Sequence, residues 1–220
     1  MTDLQDPRLD RLVSFDERSR AFPIRAALEP ELAPRSYDWG LTLRLDQGSE
    51  GACTGFAVTH EAAAEPVPVP GLTETDALAI YRRARELDEW PGEAYSGSSV
   101  LAAVKAGVER GWYSEYRWAF GLDDLILAVG WNGPAVLGIP WYDGMSRVDN
   151  LAHIHVEGAV AGGHAILTDA VDIEGRRFKL VNSWGADWGW HGICWIGFDD
   201  LDRLLHEQGE AAIPVARAGA

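Results

Sequence analysis

The stretch Gln47-Gly48-Ser49-Glu50-Gly51-Ala52-Cys53 opens into a run of helix formers, Cys53 to Glu65, that stops at Pro66, Pro68, Pro70 and Gly71. A thiol in the first turn of such a helix meets unpaired backbone N–H groups and the positive end of the helix dipole, both of which favour its anion. With an imidazolium beside it, a thiol of this kind titrates as low as roughly 3 to 4, against about 8.5 for a free cysteine. It would be a nucleophile at neutral pH. A cysteine in an arbitrary helix is more often a small buried apolar residue. The glycine-bearing approach and Gln47 tip the reading toward chemistry.

Two later stretches supply partners. Gly162-Gly163-His164-Ala165-Ile166-Leu167 places a histidine at the head of an apolar strand. Val181-Asn182-Ser183-Trp184-Gly185-Ala186-Asp187-Trp188-Gly189 follows the next strand. A turn at Glu174-Gly175 pairs the two strands as an antiparallel hairpin, which brings His164 and Asn182 to the same end. There the Asn182 side chain can accept from the imidazole N–H and fix its tautomer and orientation. Trp184 is placed to roof that bond, while Trp188 and Trp190 read equally well as core.

The elements that must position these groups divide the chain in two. Helices are expected at Cys53–Glu65, at Glu74–Asp88, where Ala77, Ile80, Tyr81 and Ala84 recur at helical steps, and at Ser99–Arg110, closed by Gly111. From about residue 122 short apolar runs separated by glycines read as strands. An α+β fold of two lobes follows, with a helical lobe at about 45–121 and a β lobe at about 122–205. Residues 1–35, broken by Pro7, Pro23, Pro30 and Pro34, read as an extension before a catalytic domain at 36–220. The extension is expected to brace the back of the lobes; a short plug across the cleft is the alternative.

Composition narrows the partners. The chain has 220 residues, 47% hydrophobic and 24% charged, at the globular average. Nineteen basic against 34 acidic residues give a net charge of −15, which opposes nucleic acid and anionic membrane surfaces as partners. The acidity leans only weakly toward basic peptides, because screening at physiological salt acts over about 8 Å. With two cysteines, Cys53 and Cys194, neither a disulfide framework nor a Cys-rich zinc site is expected. Cys194, in an apolar run, reads as a strand filler, and the other histidines, His60, His153, His155, His191 and His206, lack comparable surroundings. Residues 1–10 carry no apolar core of a secretory signal, so a cytoplasmic location, or export by another route, is expected.

Taken in order, Gln-Gly-Ser-x-x-x-Cys-x-Gly-Phe-Ala, Gly-His-Ala and Asn-Ser-Trp-Gly-x-x-Trp-Gly resemble the papain family of cysteine peptidases. The likeness runs from Tyr37-Asp38-Trp39 to the strand near Cys194. It implies Cys53 as nucleophile, His164 as its ion-pair partner and general acid, Asn182 as the group orienting His164, and Gln47 as an oxyanion donor. It further implies Gly97, Ser98, Gly163 and Trp184 at the substrate, no metal, no cofactor, and a peptide or protein substrate for a monomer. The departures are Glu50 where relatives carry a cysteine, Thr54 where many carry Trp, and Ser98 where a second Gly is common. Glu50 fits a member without disulfides, the 35 or so residues before the catalytic domain are expected to hold no long propeptide, and the excess of arginine over lysine suggests a bacterial or phage source by association. The activity implied is peptide-bond hydrolysis; a transpeptidase or amidase at the same site, or a peptide-binding homologue that no longer cleaves, are the alternatives.

Overall fold

The computed structural model describes residues 6–88 and 95–217; residues 1–5 of the extension lie outside that range. In chain order the first elements are β1 (Arg11–Leu12), α1 (Glu17–Arg20), β2 (Tyr37–Asp38), α2 (Cys53–Ala63), α3 (Glu74–Leu87), β3 (Ser98–Ser99) and α4 (Val100–Glu109). Then follow β4 (Tyr113–Ala119), α5 (Leu122–Trp131), β5 (Ala135–Tyr142), β6 (Val160–Asp172), β7 (Arg177–Val181), β8 (Ile193–Gly197), α6 (Phe198–His206) and β9 (Glu210–Arg217).

The three expected helices form for the reasons their sequences give. In α3, Ala77, Ile80, Tyr81 and Ala84 are buried on one face, and the Asp76 carboxylate accepts from the Thr73 N–H at the helix start. Ser99 caps α4, its hydroxyl accepting from the Ala102 N–H at 3.1 Å. Helix α2 is buried on nearly every side, with Cys53, Phe56 and Val58 at most 1% exposed. Each large apolar side chain so buried stabilises the fold by roughly 1.5–3 kcal/mol.

The main sheet runs in the order β4-β9-β5-β6-β7-β8, antiparallel throughout, with β2 added along β6. Strand alternation gives it two apolar faces. Val136, Ala165, Leu167 and Ala212 pack against α2 and α4, whereas Leu137, Ile139, Ile166 and Phe178 close a second core with α5 and α6.

Two expectations change. Strand β4 precedes residue 122, and β9 lies beyond 205 as an interior strand joining β4 to β5, so the sheet reaches past both proposed limits of the β lobe. Helices α5 and α6 lie in the half read as strands; the buried run Leu125 to Gly130 is apolar enough that periodicity cannot separate helix from strand. The extension also divides. Its later part braces the sheet lobe: Ile24 enters the core, the Trp118 indole donates to the Ser19 hydroxyl at 2.9 Å, and Arg35 lies 3.6 Å over the Trp131 ring. Its first described part, residues 6–12, takes the other course and crosses between the lobes.

Candidate active site

Cys53 opens α2, so its backbone N–H lacks an intrahelical acceptor, as the sequence predicts. The loop before it is held against the β lobe. Gln47 N–H donates to the Ser183 carbonyl at 2.8 Å, and Gly185 N–H to the Leu45 carbonyl at 3.2 Å. The Gln47 side chain is oriented at both ends. Its Oε1 accepts from the Ser183 hydroxyl at 2.6 Å, and its Nε2 donates to the Glu50 carbonyl at 2.6 Å. These bonds tie the Gln47 loop to the Asn182-Ser183-Trp184 turn, so the two motifs come together by direct contact.

His164 on β6 and Asn182 just past β7 meet at the hairpin's open end, Nε2 to Oδ1 at 2.8 Å. Asn182 Oδ1 also accepts from the Ser183 N–H at 2.8 Å, which identifies that atom as the acceptor. Neutral His164 therefore carries its proton on Nε2 and keeps the lone pair on Nδ1. Nδ1 has no side-chain hydrogen-bond partner among the described residues. Indoles enclose the pair: Trp184 lies 5.1 Å from the imidazole between ring centres, and Trp141 stands edge-on at 4.8 Å. Trp188 joins them, edge-on to Trp184 at 5.3 Å, whereas Trp190 is exposed. Trp141, at the end of an apolar strand, is a residue that no spacing in the sequence singles out.

The segment 6–12 is a strap lying over these groups. Strand β1 pairs in parallel with β3, Arg11 opposite Ser98 and Leu12 opposite Ser99, while Asp10 bridges to Gly163 across the cleft. The Arg8 carbonyl accepts from Gln47 Nε2 at 3.3 Å, and the Arg8 guanidinium sits 4.2 Å over Trp184. A Cβ on Gly97 would collide with the Asp10 carbonyl, and one on Gly163 with the Arg11 carbonyl. Of the expected substrate contacts, Gly97, Gly163 and Trp184 thus line the strap. Ser98 does so through its backbone alone, since its hydroxyl donates to Asp88 at 2.6 Å.

No family model matches the chain. Among solved structures it superposes on xylellain, a cysteine protease from Xylella fastidiosa, with a TM-score of 0.71 over 98% of both chains at 20% identity. The fold is papain-like. Procathepsin B from Trypanosoma congolense is also similar, with a TM-score of 0.67, 16% identity, and 96% of this chain and 87% of that one covered. In sequence, the cathepsin B-like cysteine proteinase 6 of Caenorhabditis elegans is 23% identical over 154 residues, 66% of this chain. The chain spans 39% of that proteinase's length.

The electrostatics of this papain-like cleft differ from the sequence expectation of a low thiol pKa. Burial under the strap pushes the Cys53 thiol up to about 11, although the Asp10 and Ala165 amides favour its anion. Burial likewise pushes His164 down to about 4, against the pull of Asn182. Thiol and imidazole are both neutral at pH 7 in the strapped protein. The helix terminus is where the sequence places it, but loss of water outweighs it. Cys194 on β8 is fully buried, its thiol raised by burial alone. His60 is buried too and accepts from the Leu45 N–H at 3.2 Å, a structural role. Among the described residues no group of three or more His, Cys, Asp or Glu side chains is placed to hold a metal ion. None of their helices is long and apolar enough to cross a membrane.

Proposed function

We propose that the chain is a cysteine peptidase that cleaves peptide bonds through an acyl-thioester on Cys53 and is held closed by its own strap. The observation that carries this reading is a peptide carbonyl, that of Arg8, resting on the Gln47 side-chain amide over the His164–Asn182 pair. Once a substrate replaces the strap, Nδ1 of His164 takes the Cys53 proton and the thiolate attacks the scissile carbonyl carbon. The oxygen of the tetrahedral intermediate is received by Gln47 Nε2 and the Cys53 N–H. His164 returns the proton to the departing amine, and water then hydrolyses the thioester with His164 as base. Asn182 keeps the imidazole in the tautomer that leaves Nδ1 free. These roles, and substrate contact by Gly97, Ser98, Gly163 and Trp184, are part of the same proposal. The charge of −15 and the two unpaired thiols support a monomer working in a reducing cytoplasm, with neither nucleic acid nor a membrane as partner.

The test is peptide-library cleavage by wild type, Cys53→Ala and Gln47→Ala, with the products sequenced by mass spectrometry. We expect no cleavage by Cys53→Ala and a kcat loss of about 10²–10³-fold in Gln47→Ala. Cleavage that survives Cys53→Ala would overturn the reading.

A further inference from the structure

The strap pairs with a strand of only two residues, Ser98 and Ser99, and the sheet they form has no third strand to steady it. What fixes β3 comes from α3. Tyr81, Arg85 and Asp88 follow one another at i, i+4 and i+7, which places them on one side of that helix. Each holds a different part of the segment 95–99. The Arg85 guanidinium donates to the Tyr95 carbonyl at 2.5 Å, and the Tyr81 hydroxyl accepts from the Gly97 N–H at 3.3 Å. The Asp88 carboxylate takes both serines, with Oδ2 accepting from the Ser98 hydroxyl and Oδ1 from the Ser99 hydroxyl, each at 2.6 Å.

Asp88 is badly placed to serve its own helix. It caps the C-terminus of α3, where the dipole disfavours an anion, and burial raises its carboxyl against the pull of the two hydroxyls. Its fit is to β3. Ser98 and Ser99 are at most 1% exposed, so each hydroxyl needs a partner, and one carboxylate offers an acceptor oxygen to each where an amide offers only one. The Ser99 hydroxyl in turn accepts from the Ala102 N–H and starts α4. On its other side α3 lies hard against the helix that carries the thiol. A Cβ on Gly55, two residues beyond Cys53, would collide with the Ala77 carbonyl and come within 2.7 Å of the Tyr81 nitrogen. The path from Cys53 through Gly55 and α3 to the edge of β3 is therefore packed without slack.

We propose that Asp88 is a positioning residue, holding the Ser98–Ser99 edge at a fixed place relative to Cys53 for whichever chain is laid along it, the strap in the resting protein and the substrate in its turn. Asp88 touches neither chain. It acts through the two serines, whose backbone groups face the cleft while their hydroxyls are tied behind it. Without the carboxylate, two buried hydroxyls lose their acceptor and the edge is free to shift, which weakens any paired chain whatever its sequence. For the substrate this inference rests on the peptidase reading; for the strap it stands without it.

The test follows Cys53 alkylation by iodoacetamide, with peptide mapping, in full-length wild type, Asp88→Ala, Ser98→Ala and the double variant. Asp88→Ala is expected to raise the Cys53 rate about tenfold, as loss of a hydrogen bond to a charged group would, while Cys194 stays unlabelled. Ser98→Ala leaves α3 untouched and is expected to move the rate the same way. The double variant is expected to stay within about twofold of Asp88→Ala, because both changes break one contact. For the substrate, a fluorogenic form of a peptide cleaved in the library is assayed in Leu9→Ala, whose strap is loosened, with and without Asp88→Ala. KM is expected to rise about fivefold or more with kcat changed less than about twofold, whereas partial unfolding would lower kcat at constant KM. If circular dichroism finds Asp88→Ala unfolded, Ser98→Ala carries both comparisons. An unchanged Cys53 rate, Cys194 labelled alongside Cys53, effects that multiply in the double variant, or a fall in kcat at constant KM overturns the role of Asp88, and cleavage in those same proteins leaves the peptidase reading intact. If none of the proteins cleaves any peptide, the peptidase reading fails and the alkylation rates alone decide on Asp88.

Discussion

His164 and Cys53 are both fully buried beneath the strap, and that burial sets their protonation. His164 titrates near 4 when folded, against 6.5 for the free side chain. Between those values the unfolded chain binds a proton that the folded chain does not, so stability rises with pH across the window and is lost as pH falls through it. Asp6 and Arg8 of the strap are the charged groups acting on it, and the Asp6 carboxylate opposes the shift that Arg8 reinforces. Full protonation would remove on the order of 3 kcal/mol. Thermal melts from pH 7 to 4 are expected to fall less steeply for His164→Gln than for wild type; parallel curves would sink the assignment. Cys53 behaves in the opposite sense: its contribution is complete below about 9 and lost as pH rises through about 11.

At the scale of elements, the strap is a weak strand anchored by side chains. β1 has two residues and pairs in parallel, a slightly weaker geometry than antiparallel pairing. Leu9 supplies apolar anchorage, 2% exposed within the core of the β lobe. Its truncation to alanine removes about 2–5 kcal/mol from the docked state. Leu9→Ala is therefore expected to raise the rate of Cys53 alkylation by iodoacetamide at least tenfold while Cys194, buried in the sheet, stays unlabelled. Peptide mapping after timed alkylation checks both statements, and an unchanged Cys53 rate would mean that the strap does not control access. Helices α3 and α4 could be read from their spacing and caps, but α5 could not, because an interior helix of about three turns shows no polar face.

Across the whole molecule, the C-terminal strand holds the fold together. β9 is the partner of β4 and one neighbour of β5, and it contributes Ala211, Ala212 and Ile213, none of them exposed, to the two cores. Glu210 at its start also holds the buried Arg11 guanidinium of the strap. A chain ending at residue 206 would leave β4 without its partner strand and both cores open. Such a truncation is expected to lose the native far-UV circular dichroism and its cooperative melt; a folded, cooperatively melting product would show that β9 is dispensable.

The helix-borne thiol, the hairpin that joins His164 to Asn182, and the fold class can be read from the residues alone, because each depends on local periodicity, turns and short-range pairing. Cys53, His164, Asn182 and Trp184 were legible in that way; Gln47 as an oxyanion donor came from the family resemblance alone. Packing of the folded lobes sets residues 6–12 over the thiol, Trp141 against the site, and Arg11 on Glu210 across 199 residues of chain. Such contacts depend on which surfaces the folded lobes leave open, and no local pattern records that. The direction of the thiol shift was decided there too, since a helix terminus is written in the sequence while the exclusion of water is a property of the assembled cleft.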